Sequence, residues 1–347
     1  MAKINVGING FGRIGRCVAR QLLLDERVQL KVINDTNPDI DNLSYLFNYD
    51  SIYGRAEVRS QVVENKMLMG DQRVEVYSSS SLGGIPWHDC GVDVVVDATG
   101  VSEHIEQAHE LVKVQKIKKV IFTNAPKKGV DKVVVLGVNE HELKESDHVI
   151  ASSICDANAI AHVFKALHAE IGIESGFITS VHPWLSYQNL VDGSLRSQSS
   201  PGMFWKDYSL GRSSVGALIP KNTTAASAVI QVLPELEGRI DAFSYRIPTS
   251  VVTSADLTLQ MSRDTSLAEI RKVIHALSAK IPDIVGVNSE SLVSRDYERV
   301  TQSVVIDDQW TNVLGKRMVK IVLWYDNEWG YSSRVVDLVN YLSAIGK

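Results

Sequence analysis

Through the first 150 residues, short β-branched runs alternate with stretches of helical period. Residues 3–9 read as a strand, 16–25 as a helix and 30–35 as a second strand. Residues 92–97 and 119–122 are two more strands, with a helical pattern over 105–112 between them. Apolar runs separated by helices describe a parallel sheet with helical crossovers. The pattern changes after a helix that begins near Cys155. Residues 176–182, 240–247, 254–261 and 318–325 read as longer strands, and only 266–280 reads as a helix among them. That spacing predicts an α+β domain with a mostly antiparallel sheet. Residues 190–214 show no period and are rich in serine. A loop of that length is uncommon and often functional. Over 331–345, Val335, Leu338, Val339 and Leu342 fall on one helical face.

Composition narrows the class. The chain has 347 residues, 44% apolar and 22% charged, which suits two globular domains and excludes a disordered or fibrous chain. With 36 Lys plus Arg against 41 Asp plus Glu, the net charge of -5 argues against a nucleic-acid partner. No apolar stretch approaches the ~20 residues that span a bilayer, so no membrane association is expected. The N-terminus runs into the first strand with no apolar signal region. Cys17, Cys90 and Cys155 are too few for a disulfide framework, which points to a reducing cytoplasm. Histidine and cysteine do not recur at metal-ligand spacing, so no metal is expected.

Gly10-Phe11-Gly12-Arg13-Ile14-Gly15 is a G-x-G-x-x-G that follows a predicted strand and opens a predicted helix. Glycines there permit a tight turn and close approach to a pyrophosphate, and the helix N-terminus supplies N–H groups and a positive dipole end. Asp35 ends the next strand, where a carboxylate accepts bonds from an adenosine ribose and repels a 2′-phosphate. The expected cofactor is therefore NAD, bound by an N-terminal Rossmann domain.

A second constellation lies downstream. Ile160, Val163, Phe164 and Leu167 follow helical spacing, so Cys155 sits at a helix N-terminus, where the dipole favours a thiolate. His182 ends a strand 27 residues later. A thiol with an imidazole partner is an activated nucleophile beside a general base. Cysteine, histidine and nicotinamide together imply aldehyde oxidation: the thiol adds to the carbonyl, hydride departs and a thioester remains.

Several motifs carry a family resemblance. They are Asn9 to Arg16, Asn34-Asp35, Tyr49-Asp50-Ser51, Asp97-Ala98-Thr99-Gly100, Val232 to Leu236, Arg246-Ile247-Pro248-Thr249 and Trp324-Tyr325-Asp326-Asn327-Glu328. Together they resemble glyceraldehyde-3-phosphate dehydrogenase over nearly the whole chain. The resemblance implies a Rossmann domain over residues 1–153, with the helix at 331–347 packed back on it, and a catalytic domain over 154–330. It implies Cys155 and His182 as catalytic residues and a homotetramer in which residues near 182–214 approach a neighbour's cofactor. Phe11, Arg13, Ile14, Thr99, Gly100 and Thr123 would join the glycines and Asp35 around NAD, and Asn327 would bond the nicotinamide carboxamide. Arg212, Thr223 and Arg246 would bind the substrate.

The departures fall at the thiol. Where the family has Ser-Cys-Thr-Thr-Asn-Cys, this chain reads Ile154-Cys155-Asp156-Ala157-Asn158-Ala159. Two hydroxyl donors for inorganic phosphate are lost and a carboxylate is gained. Leu185 and Tyr187 replace a phosphate-binding Thr and the Asp that follows it, while Lys221 and Thr224 replace small residues. The expectation is NAD-dependent oxidation of a small anionic or sugar-derived aldehyde, independent of phosphate, with Asp156 at the substrate site. The alternatives are ordinary phosphorylating oxidation of glyceraldehyde 3-phosphate or erythrose 4-phosphate, a semialdehyde-type reductase and a catalytically quiet NAD-binding scaffold. Retention of Cys155 and His182 speaks against the scaffold. NAD should bind more tightly than NADP, and Asp35→Ala should weaken NAD and narrow the gap. Calorimetry that gives equal affinities in the parent would remove the ribose role of Asp35.

Overall fold

The computed structural model describes residues 3–197 and 200–345. Residues 1–2, 198–199 and 346–347 of the segments expected above lie outside the described residues. The chain divides into two compact units. The first runs up to Val134, then takes His141–Ser153 and the chain from Ser332 onward; the second takes Val135–Glu140 and Ile154–Tyr331.

The first unit is built on β1 (Ile4–Asn9), α1 (Arg13–Leu22), β2 (Val28–Asn34) and α2 (Ile40–Asn48). A small ribbon follows, β3 (Tyr49–Asp50) with β4 (Gly54–Arg55), and then β5 (Ser60–Val63), β6 (Lys66–Met69) and β7 (Gln72–Tyr77). β8 (Val94–Asp97), α3 (His104–Glu110), β9 (Lys119–Phe122), β10 (Lys132–Val133) and β11 (Val149–Ala151) complete it. The sheet order is β10-β11-β9-β8-β1-β2-β7-β6-β5. It is parallel from β10 to β7 and antiparallel over the last two pairings. The central strands are apolar on both faces: Val6, Ile8, Val95, Val96, Val120 and Ile121 are all fully buried. That is the Rossmann arrangement the alternating runs imply.

The β5–β7 edge has no counterpart in the sequence reading. Its strands are short, and the β5–β6 turn places Glu64 and Asn65 at φ +51° and +59° without a glycine to mark it. α1 begins at Arg13 rather than 16, because the helix starts directly from the glycine turn. α3 gives way at Leu111 to a π-helical turn that ends on left-handed Lys116.

The second unit holds α4 (Cys155–Glu170), β12 (Ile173–Pro183), β13 (Ile219–Asn222), α5 (Ala225–Val232), β14 (Ile240–Ile247) and β15 (Thr253–Met261). α6 (Leu267–Lys280), β16 (Val285–Asn288), β17 (Val304–Leu314) and β18 (Met318–Tyr325) follow. α7 (Trp329–Ile345) runs from this unit into the first. The sheet order is β13-β14-β12-β15-β18-β17-β16, with parallel pairing only at β14–β12 and β17–β16. The mostly antiparallel expectation holds. Ser266 is the cap of α6, its hydroxyl accepting from the Glu269 N–H, rather than its first residue. The aperiodic segment has a core of its own: Leu195 and Leu210 pack with Ile219, and Tyr187 stacks on Trp205 at 5.7 Å.

Candidate active site

The glycine turn closes by close contact. A Cβ on Gly15 would lie 2.0 Å from the Gly10 carbonyl oxygen, and one on Gly10, at φ +89°, would lie 2.8 Å from Thr99 Cγ2. A Cβ on Gly12 would meet nothing within 4 Å, and no side chain caps α1 there. Two glycines thus serve packing and the third leaves open space at a helix N-terminus. Asp35 holds the turn as well as facing its rim. Its Oδ2 accepts the Phe11 N–H at 2.7 Å and its Oδ1 accepts the Asn37 N–H at 2.9 Å. Each carboxylate oxygen retains a lone pair for a hydroxyl. Arg13, one residue into α1, pairs with Asp50, and Ile14 follows it on the helix.

Beneath the turn lies a buried network that sequence reasoning missed. Asn9 Nδ2 donates to Asp97 Oδ2 at 2.7 Å, and Asn34 Nδ2 donates to Asn9 Oδ1 at 2.7 Å. Thr99 donates its N–H and hydroxyl to Asp97 Oδ1, and the Thr123 N–H reaches the Asp97 carbonyl. Gly100 follows at φ +72°. His104 Nδ1 lies 2.8 Å from Asp97 Oδ2, and its Nε2 lies 3.1 Å from the Ser80 carbonyl. Both partners are acceptors, so the imidazolium satisfies both at once. Burial works against that charge, but the Asp97 hydrogen bond and charge outweigh it and hold His104 above its ordinary value.

In the second unit, Cys155 is the first residue of α4, and His182 lies near the end of β12. Sγ is 4.0 Å from His182 Nε2. His182 Nδ1 donates to the Pro183 carbonyl at 2.8 Å, which fixes the tautomer and leaves the Nε2 lone pair toward sulfur. Burial and the Arg246 charge push the imidazole well below its usual value, so it is a neutral base. Asp156 turns into the same space. Its Oδ1 lies 3.8 Å from Sγ and accepts the Tyr325 hydroxyl at 2.6 Å. Burial and then the Asp156 charge raise the Cys155 thiol well above its ordinary value, with Arg246 opposing them. The expected dipole-favoured thiolate is therefore outweighed at rest: a carboxylate 3.8 Å away costs a thiolate about 4 kcal/mol at an effective dielectric of ~20. Tyr325 was not among the expected site residues. No local signal marks it, because its partner Asp156 lies 169 positions away in sequence.

Arg246 stands opposite His182 in the β12–β14 register and is 7% exposed. Its Nε and Nη1 have no hydrogen-bond partner among the described residues. An unpaired buried guanidinium is expensive, and an anionic ligand would satisfy it. Burial and Arg246 lower Lys221 to about 8, against the charges of Asp156 and Asp207. Thr223 lies two residues beyond Lys221, its hydroxyl accepting the Ala225 N–H at 3.3 Å. Arg212 is apart from this group: its side chain is 71% exposed and paired with Asp192. Asn327 is buried, and its Oδ1 has no hydrogen-bond partner among the described residues. The open glycine face and Asp35 of the first unit suit the pyrophosphate and ribose of a dinucleotide.

Such a turn, with a thiol, a neutral imidazole and an unpaired guanidinium in the same chain, defines a nicotinamide-dependent oxidoreductase. The model for the glyceraldehyde 3-phosphate dehydrogenase NAD-binding domain matches residues 4–105, and that for the C-terminal domain matches residues 154–327. The chain is 39% identical over 347 residues to a cytosolic glyceraldehyde-3-phosphate dehydrogenase of Craterostigma plantagineum, covering 99% of each. It is 38% identical over 345 residues to the cytosolic enzyme of Ginkgo biloba, covering 99% of this chain and 98% of that protein. The chain belongs to the glyceraldehyde-3-phosphate dehydrogenase family and is an NAD-dependent oxidoreductase of that type.

The His104–Asp97 pair has a pH signature. With its folded value raised, His104 contributes stability that is fully present below about pH 6.5 and is lost as pH rises through the folded value. His104→Gln should therefore lose most stability against the parent at mildly acidic pH, the difference shrinking toward pH 9. Chemical denaturation across that range checks it, and a gap that widens with pH would contradict the imidazolium assignment.

Proposed function

We propose that this chain oxidises a small anionic aldehyde through a thioester on Cys155 and releases the acyl group without inorganic phosphate. The observation that carries this is Asp156, fixed by Tyr325 at 3.8 Å from the sulfur. A carboxylate there repels a phosphate dianion by about 4 kcal/mol per unit-charge pair at ~4 Å and an effective dielectric of ~20. Arg246 and Lys221 supply the positive charge for an anionic group on the aldehyde, and Thr223, two residues beyond Lys221, would add a hydroxyl. Arg212 would join only by giving up Asp192.

When bound, NAD supplies the two-electron acceptor that carries the aldehyde to the acyl level. Cys155 Sγ adds to the aldehyde carbon, and its proton passes to the carbonyl oxygen. His182 Nε2 then removes the hydroxyl proton of the hemithioacetal. Because Nδ1–H is tied to Pro183, the ring presents one fixed lone pair and does not rotate.

A second reading is ordinary phosphorolysis. The unpaired Arg246 guanidinium suits inorganic phosphate as well as a substrate anion, and the relatives are named glyceraldehyde-3-phosphate dehydrogenases. A homotetramer is supported by large apolar side chains exposed on one chain, among them Phe177, Trp310 and Leu314 in the second sheet and Leu190, Met203 and Tyr208 in the 190–214 segment. A cytosolic location rests on the relatives' names and on three free cysteines.

The deciding experiment measures NADH formation from glyceraldehyde 3-phosphate with phosphate varied at fixed ionic strength. A rate indifferent to phosphate and a carboxylate product are expected; a saturable rise with an acyl phosphate product returns the enzyme to phosphorolysis. Cys155→Ser should abolish turnover and leave NAD binding intact. The anion pocket has its own test. Lys221 is charged below about 8, so KM for an anionic aldehyde should rise as pH passes that value. Lys221→Met should raise KM about 10- to 100-fold at pH 7, the worth of one charge-assisted contact, and flatten the alkaline rise. An unchanged KM would take Lys221 out of the pocket.

A further inference from the structure

We propose that Asp156 is the catalytic base that activates the water releasing the acyl group, and that Tyr325 is its positioning residue. This rests on the hydrolytic reading above. Three distant pieces of chain build the arrangement: the start of α4, the end of β12 and the end of β18. Cys155 Sγ, His182 Nε2 and an Asp156 carboxylate oxygen all lie within 4.8 Å of one another. The thiol thus has two proton acceptors beside it, an imidazole at 4.0 Å and a carboxylate at 3.8 Å.

The second acceptor answers a proton count. His182 takes one proton when the thioester forms, and while it holds that proton it cannot take one from water. Asp156 can. Its Oδ1 is occupied by the Tyr325 hydroxyl, while Oδ2 accepts no hydrogen bond among the described residues. Tyr325 is buried at the end of β18, and burial together with the Asp156 charge keeps its hydroxyl protonated. It therefore acts as a permanent donor that fixes the carboxylate beside the thiol and leaves Oδ2 as the oxygen free to take a proton.

The step balances. Water adds to the thioester carbon as its proton passes to Asp156 Oδ2. The tetrahedral adduct collapses, the carbon–sulfur bond breaks and its electron pair goes to Cys155 Sγ. The sulfur takes the proton from His182, restoring thiol and neutral imidazole. The product leaves as a carboxylate, and the protons on it and on Asp156 pass to solvent. The same negative charge that repels a phosphate dianion is no barrier to neutral water.

Rapid mixing of the NAD-loaded enzyme with glyceraldehyde 3-phosphate, in phosphate-free buffer, tests this. Asp156→Asn keeps the shape and removes the base. It should form NADH in a burst of one per Cys155, then slow about 10²- to 10⁴-fold in the steady state, with the acyl group on Cys155 seen by mass spectrometry. Hydroxylamine, which attacks thioesters without a base, should restore turnover; a merely misfolded site would not respond. Tyr325→Phe should slow the same phase by less, and adding it to Asp156→Asn should cost nothing more. Parent-like turnover in Asp156→Asn, or loss of its burst, overturns the base assignment. An acyl phosphate from the parent overturns the hydrolytic reading itself, a separate outcome because it is seen without any variant.

Discussion

A thiol, an imidazole, a carboxylate and a guanidinium share one buried volume in the second unit, and their mutual charges govern everything else there. Burial and then Asp156 raise the thiol while Arg246 opposes them, and burial together with the same Arg246 keeps His182 neutral. The resting state that results is an uncharged thiol beside an uncharged base, with an unpaired cation and a hydrogen-bonded anion on its flanks. In the proposed reaction, nucleophilic character is then generated by proton transfer when an aldehyde arrives, rather than stored as a standing thiolate.

The first unit solves a different problem with similar means. Its glycine turn brings backbone strands into close contact, and Gly10 and Gly15 allow that because nothing larger fits against Thr99 and the Gly10 carbonyl. The Asp97 carboxylate, fully buried, ties Asn9, Thr99 and His104 into one network under the turn. The turn is stiffened from below by polar groups that satisfy one another.

What was legible in the sequence was whatever local pattern decides. Lys119–Phe122, Ile240–Ile247 and Met318–Tyr325 are continuous or alternating apolar runs, and they are strands at those positions. The glycine spacing located the turn because backbone geometry there has few solutions. Long-range partners were not legible. The orientation of Asp156 depends on Tyr325, 169 positions away, and no local rule separates a helix-start aspartate from a site carboxylate. Arg212 read like Arg246, yet one is exposed and paired while the other is buried and unpaired. The 190–214 segment lacked period because its core is three scattered residues, Leu195, Leu210 and Ile219, rather than one face of an element.

That segment also reaches Lys221. The Lys221 ammonium lies 5.9 Å over the Trp205 ring, and Trp205 rests on Tyr187. Part of what shields Lys221 from water is therefore the packing of the irregular loop that precedes its strand. Its acidity becomes a gauge of how well that loop is ordered: loosening the aromatic stack readmits water and returns the amine toward the ordinary lysine range. Anything that stiffens or frees the loop would thus shift the charge of Lys221 through solvation alone, and with it, under the proposed function, the affinity for an anionic aldehyde.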